Sequence, residues 1–266
     1  MTPSRSRRRL DRSLIPVLAA LALVLVGFEI SDTDLWVQDR LFDFPHGRWI
    51  VDGADPLWRA LFYSGPKSAL IALGLLALVR LLAPARWAWI RRGWGGASRA
   101  DVGVLVLTLA TTPVLIGWGK AVTNVFCPSE IRRYGGDVTY VKVFSSYPPG
   151  DRPVRAGRGF PAGHASGGFA LLALAGLART RRGQLAGMAV GLVLGGTMGG
   201  YQMMKGAHYL SHTVVTALVA WLVFIAWRLV FRRRDRDDGS ALAASRTAAE
   251  PAEESTAMES RSVAQL

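Results

Sequence analysis

A chain of 266 residues that is half hydrophobic, with a mean hydropathy of +0.24 and a formal net charge of +13, is more apolar than a soluble domain of its length. A basic, apolar balance fits a nucleic-acid binder or a membrane protein. The basic residues flank long uncharged runs instead of decorating amphipathic faces, which excludes nucleic acid as a partner and points to a membrane. The lone cysteine, Cys127, excludes an internal disulfide and any cysteine-built metal site.

Crossing a hydrocarbon core of roughly 30 Å takes about 20 mostly apolar residues in a helix, and about six stretches approach that length. The basic N-terminus, residues 1–12, leads into the first of them, Leu14 to Ile30. It reads as a retained anchor, not a cleaved signal peptide, because no small-residue cleavage site follows and Glu29, Asp32 and Asp34 come next. Ser31 to Asp55 is acidic and carries Trp36, Phe42, Phe44 and Trp49, the mix expected of a loop or short helix lying at the interface without crossing.

The second run, Leu57 to Leu82, is interrupted by Ser64-Gly65-Pro66-Lys67. A proline and a lysine inside a span are costly unless protein or water satisfies them, so Lys67 either snorkels to the surface or faces a polar cavity. Pro84 to Asp101 is a basic, tryptophan-rich loop with Arg86, Arg91, Arg92 and Arg99. The third run, Val102 to Phe126, places Lys120 near its far end. A long polar connection, Cys127 to Phe160, follows, of the kind that is either functional or disordered.

The fourth run, Ala165 to Ala178, is short and ends at the basic turn Arg179 to Arg182. The fifth, Leu185 to Tyr201, carries Gly187, Gly191, Gly195 and Gly199 at intervals of four. That spacing either lets a neighbouring helix approach closely or reflects glycines simply tolerated in lipid. The sixth, Tyr209 to Phe231, stops at Arg232-Arg233-Arg234, and residues 232–266 read as a disordered cytoplasmic tail. The fold class is therefore all-α: an integral membrane bundle of about six transmembrane helices over residues 13–231.

With six alternating crossings, the basic N-terminus, the Arg86 to Arg99 loop, the Arg179 to Arg182 turn and the Arg232 stop fall on one side, which the lysine and arginine bias makes cytoplasmic. Both termini are then cytoplasmic, and Lys120, His164 and His208 meet at the periplasmic or extracellular face of an inner (plasma) membrane. Three of the chain's four histidines, His164, His208 and His212, stand at the mouths of apolar runs; His46 lies outside this pattern. If their stretch is helical, His208 and His212 share a face at i and i+4.

These groups suit a phosphate monoester. Lys120, Lys205, Arg132 and Arg133 are cationic candidates for holding it, and Gly163 with His164 begins a helix whose free N–H groups make an anion seat. A neutral histidine can attack phosphorus and a protonated one can hand its proton to the leaving oxygen, tasks open to His208 and His164. Their rings should face one cavity, with His212 or another acceptor within about 3.2 Å of the far nitrogen of His208.

At these residues the chain resembles the type 2 phosphatidic acid phosphatase superfamily, which includes bacterial acid phosphatases and vanadium haloperoxidases. That pattern is a lysine, six residues, Arg-Pro; then Pro-Ser-Gly-His; then an arginine, five residues, a histidine, three residues, an aspartate. Here it reads Lys120 with Cys127-Pro128, then Pro161-Ala162-Gly163-His164, then Gln202, His208 and His212. The resemblance covers roughly residues 102–231. It implies His208 as the nucleophile that becomes phosphorylated, His164 as general acid and Lys120 as a phosphate ligand, and it requires no metal or other cofactor.

Cys127 and Gln202 stand where the family has arginines, and His212 where it has the aspartate that orients the nucleophile. Lysine is a point charge and no bidentate substitute for arginine, although Lys205 and Arg133 are candidates to compensate, with Gln202 left in an arginine's phosphate-binding position. A neutral His212 can accept the ring N–H of His208 but stabilises a developing imidazolium less than a carboxylate does. The expected function is a membrane phosphatase hydrolysing a lipid phosphate or diphosphate, with transfer to another lipid as a close variant. Polyprenyl diphosphate, phosphatidic acid, phosphatidylglycerol phosphate and lipid A are all candidate substrates. The rival is a non-catalytic lipid-binding or scaffolding membrane protein that retains the phosphate pocket.

Overall fold

A computed structural model describes residues 5–84, 86–87 and 96–232, with side chains from residue 14 onward. Most of the tryptophan-rich loop, the side chains of the basic N-terminus and the tail beyond Arg232 lie outside the described residues. The chain divides into two units, residues 1–227 and 228–266, and the architecture below belongs to the first.

The order of the long helices follows the apolar runs. Helix α1 is Arg5–Ile30, α2 is the short Thr33–Gln38, α3 is Pro56–Leu82, α4 is Arg99–Val122, α5 is Gly163–Ala170, α6 is Arg181–Met204 and α7 is Leu210–Arg232. Starts follow capping chemistry. The Asp55 carboxylate accepts the Leu57 N–H at 2.8 Å with Pro56 at the first helical position. Ser98 and Asp101 form a reciprocal capping box at α4.

Among the described residues three helices, α3, α4 and α7, are long and apolar enough to cross a membrane. A fourth crossing is available if the pair Leu14–Ile30 and Thr33–Leu41, bent by 77°, counts as one. This is fewer than the six expected, for two local reasons. The fourth apolar run is not one α-helix: α5 ends at Ala170 and the chain continues as 3-10 turns over Leu171–Gly176. Helix α6 has the length, but its glycines dilute its hydropathy. The third run also stops sooner than expected, at Val122, with residues 123–126 continuing as irregular chain.

The interruption inside α3 is absorbed by a wider turn. Residues Ala60–Ser64 form a π-helical turn, and Gly65 follows where a Cβ would stand 2.7 Å from the Ala60 carbonyl oxygen. The turn accommodates Pro66, which has no N–H to give, without ending the helix.

The glycine stripe of α6 serves close packing. A Cβ at Gly187 would come within 2.6 Å of the Ala175 backbone, at Gly191 within 2.5 Å of Leu172, at Gly195 within 2.4 Å of the Phe169 ring, and at Gly199 within 2.4 Å of the Thr213 methyl. Helix α6 therefore lies directly on α5, on the 3-10 turns after it and on the first turns of α7.

The segment between α1 and α3 does not form a long helix. After α2 it makes a two-residue antiparallel pair, Phe42 opposite Trp49 and Asp43 opposite Arg48. The connection Cys127 to Phe160 is ordered, with 3-10 turns at Pro128–Glu130 and Arg132–Tyr134. The two segments share a core of Phe126, Ile131, Tyr134, Val138 and Tyr209, against which Leu35, Phe42 and Trp49 pack. Each large apolar side chain so buried contributes roughly 1.5–3 kcal/mol. Tyr209 ties this core to the residue that precedes it, His208.

Candidate active site

His208 is presented by the turn that joins α6 to α7. Lys205 ends α6, and Gly206 takes a positive φ of 74°. The Ala207 N–H reaches the Gln202 carbonyl at 2.8 Å and the Gly206 N–H reaches Met203 at 3.0 Å, the paired bonds of a Schellman stop. The His208 N–H also points to the Gln202 carbonyl, at 3.3 Å. Glycine is required at 206 twice over, because a Cβ would stand 2.2 Å from the Trp49 indole.

The turn is held from outside by α2. Gln38 donates to the Met203 carbonyl at 2.7 Å, and the buried Asp34 carboxylate accepts the Ser211 N–H at 2.8 Å and the Ser211 hydroxyl. Asp34 thus caps the first turn of α7 from a distant part of the chain, at the positive end of that helix. Replacing Asp34 with asparagine should cost about 1–2 kcal/mol and lower Tm in detergent. An unchanged melting curve would remove Asp34 from this role.

His208 lies two residues before α7, so the pair is not a helical i, i+4 pair, yet the two rings meet: Nδ1 of His208 and Nδ1 of His212 are 3.4 Å apart. That is longer than the 3.2 Å expected and at the outer limit of a hydrogen bond between neutral rings, one donating and one accepting. The Gly159 carbonyl faces both rings.

His164 opens α5, and its ring centroid is 6.3 Å from that of His208. The loop before it is tied down on two sides. The Ala162 N–H donates to the Thr216 hydroxyl at 2.9 Å and the Thr123 hydroxyl donates to the Phe160 carbonyl at 2.8 Å. Tyr63 of α3 packs against His164, centroids 4.6 Å apart. Lys120 crosses Gly163 so closely that a Cβ there would lie 2.8 Å from its Cε, and its ammonium donates to the Arg158 carbonyl at 2.8 Å.

Lys205 stands 5.8 Å from the Tyr63 ring centre and 5.2 Å from that of Tyr201. His164 therefore feels three ammonium groups, Lys205, Lys120 and Lys67. None of the three is ion-paired among the described residues. Packing around the His164 ring, then these three charges, push its pKa down to about 4. His208 is held well below the ordinary histidine range by burial, then by His212, Lys120 and His164, and is neutral at neutral pH. A neutral buried imidazole beside unpaired cations is an arrangement an anion completes.

Not every expected residue joins this cluster. Arg132 is taken by Asp151, at 2.5 Å, and Arg133 by Asp39, at 2.8 Å. Neither is among the charges felt by His164 or His208, and each gives its forked donors to a carboxylate, so the structure does not bring Arg132 or Arg133 into the histidine cluster. Gln202 is buried beside the turn and both atoms of its side-chain amide lack a protein partner. Cys127 lies within electrostatic reach of Lys120 and Lys205; burial, then Glu130, push its thiol up to about 12. His208 itself is 3% exposed and does not line the open cavity that His164 lines, so the expectation of two rings on one cavity holds only for His164.

Lys67 is the group that sequence reasoning left undecided. Its signal was the lysine one turn beyond Tyr63 in the polar interruption of α3, and the structure turns both toward the cavity at His164. Gly206 had a signal too, a glycine closing an apolar helix.

A family model described as PAP2 superfamily matches residues 101–236, just over half of the chain. The chain belongs to the PAP2 superfamily. Members of this superfamily are generally phosphatases, which puts the chain among phosphoesterases, and its apolar helices mark it as a membrane protein. No curated protein and no solved structure matches it.

Proposed function

We propose that this PAP2 superfamily member hydrolyses a lipid phosphate or diphosphate through a phosphohistidine on His208. What supports this above all is the convergence, at one end of the bundle, of His208, His164 and three unpaired lysines from α3, α4 and the turn after α6. Lys120 and Lys205 hold the phosphoryl oxygens, Lys67 adds a third positive charge, and the free amide of Gln202 donates where the family has an arginine. With Nδ1 of His208 engaged by His212, attack on phosphorus falls to Nε2.

The nitrogen lone pair forms the N–P bond as the P–O bond breaks, and His164 gives its proton to the departing oxygen. Water then attacks the phosphohistidine, loses its proton to His164, and leaves as inorganic phosphate with His208 restored. Because His208 is buried and His164 is exposed, the phosphoryl group approaches past His164. The ammonium groups disfavour imidazolium at His164 in the free protein. A bound phosphate offsets them, so substrate binding itself promotes protonation of the acid.

The reading includes six crossings of an inner (plasma) membrane, with α5 and the 3-10 turns after it as a short crossing and the glycine-rich α6 as a full-length one, both termini cytoplasmic and the histidines at the outer face. A non-catalytic lipid-binding role is favoured only by the missing family arginines and aspartate, and it predicts binding without phosphate release. The test is release of inorganic phosphate from a panel of lipid phosphates by purified protein. Release by the parent is expected; binding without release sinks the phosphatase.

A second expectation concerns pH. Removing Lys205 takes away the largest of the charges that depress His164, so its pKa rises and the acid stays protonated to higher pH. In Lys205→Ala the alkaline limb of kcat moves up while kcat/KM falls by about tenfold. A limb that stays in place contradicts the role of His164 as the acid.

A further inference from the structure

Below His164 a cavity of about 550 Å³ runs between α3, α4 and α5. Its size is that of a small-molecule site. The polar groups gather at one end, Tyr63, Lys67 and His164. The rest of the α3 wall is apolar, Leu70, Ile71, Gly74, Leu75 and Leu78, spaced at helical intervals so that one stripe faces in. From Lys67 to Leu78 the stripe extends about 16 Å down the helix. Leu75 and Ile71 are more than half exposed, so the groove opens sideways as well as at its head.

We propose that Lys67 is a specificity-determining residue that meets the second phosphoryl group of a lipid diphosphate, and that the groove beneath it seats that lipid's single hydrocarbon chain. This rests on the phosphatase reading for the position of the scissile bond. His208 attacks on one side of the phosphorus, His164 protonates the leaving oxygen on the other, and Lys67 stands beyond His164 at the head of the apolar stripe. In a monophosphate the atom beyond the leaving oxygen is carbon, and an ammonium there would face nothing charged. In a diphosphate it is phosphorus, whose two non-bridging oxygens share one further negative charge.

Charge argues the same way. Three ammonium groups with no carboxylate partner, around histidines that are neutral, exceed what a monoester dianion neutralises and match a diphosphate. The reaction balances without a co-reactant. The bridging P–O bond breaks, its electron pair stays on the lipid monophosphate, His164 supplies that oxygen's proton, and water releases inorganic phosphate from His208.

Equilibrium binding separates this proposal from the phosphatase reading. The probes are a long-chain prenyl diphosphate, the matching monophosphate, and a water-soluble short-chain diphosphate, added to full-length protein in detergent. Gly74 is the site for filling the groove, because the nearest atom to a Cβ there is the Leu109 methyl at 4.0 Å. Gly74→Phe should weaken the long-chain diphosphate about tenfold and leave the short-chain one within about twofold. Lys67→Gln should weaken both diphosphates about tenfold and the monophosphate by less than about twofold.

Equal losses on long and short chains in Gly74→Phe overturn the groove. Equal losses on mono- and diphosphate in Lys67→Gln overturn the role of the lysine. Phosphate release is followed in parallel: a parent that binds in the expected pattern but releases nothing loses the phosphatase reading alone.

Discussion

Replacing His208 with alanine should abolish phosphate release, a fall of at least about 10⁴-fold in kcat, while the lipid still binds. The size follows from the role. Lys120 and Lys205 can still concentrate and orient the phosphate, but no other described side chain in the cluster offers a neutral nitrogen with a second ring held behind it. His212 does not substitute, because it is 1% exposed and its Nδ1 is turned to His208. Phosphate release is measured with the purified variant beside the parent, and lipid binding is measured separately so that a folding defect is recognised. A variant that keeps a tenth of the parent rate, about one decade lost, would deny His208 the role of nucleophile.

Replacing His164 with asparagine should lower kcat about 10²–10⁴-fold for a substrate whose leaving oxygen must be protonated. For a nitrophenyl phosphate, whose leaving group departs as a stable anion, the loss should shrink to within about tenfold. This contrast tests more than a loss of activity, since a merely structural histidine would depress both substrates alike. It also bears on the unusual electrostatics of the site. Burial, then the three cations around it, push the pKa of His164 down to about 4, and a bound anion offsets the cations and favours its protonation.

The apolar runs, the order and spacing of Lys120, His164 and His208, and the close-packing glycines of α6 were all legible in the sequence. Each depends on residues at fixed local intervals or on hydropathy over a window. What escaped depends on long-range pairing. The carboxylate of Asp34 holds Ser211 across 177 positions, and Gln38 holds Met203 across 165, contacts that leave no periodic trace. The pairing of the arginines is of the same kind: Arg132 and Arg133 give their forked donors to Asp151 and Asp39, 19 and 94 positions away, and stand outside the histidine cluster. The fourth apolar run misled differently, since hydropathy does not distinguish an α-helix from the 3-10 turns that follow Ala170.

The replacement of the family's aspartate by His212 has a chemical consequence. A carboxylate would hold the ring N–H of His208 with a full negative charge, whereas His212 offers a neutral acceptor at 3.4 Å and the Gly159 carbonyl a dipole. Much of the stabilisation of the phosphorylated histidine must therefore come from the phosphate side, where the lysines are.

The most direct measurement is to trap the intermediate. Brief incubation of the purified protein with a radiophosphate-labelled lipid phosphate, quenched in alkali to preserve phosphohistidine, should leave label on the peptide that carries His208 and none on the His208→Ala variant. Label on another residue, or full turnover with no label on the protein at any quench time, would contradict the central claim.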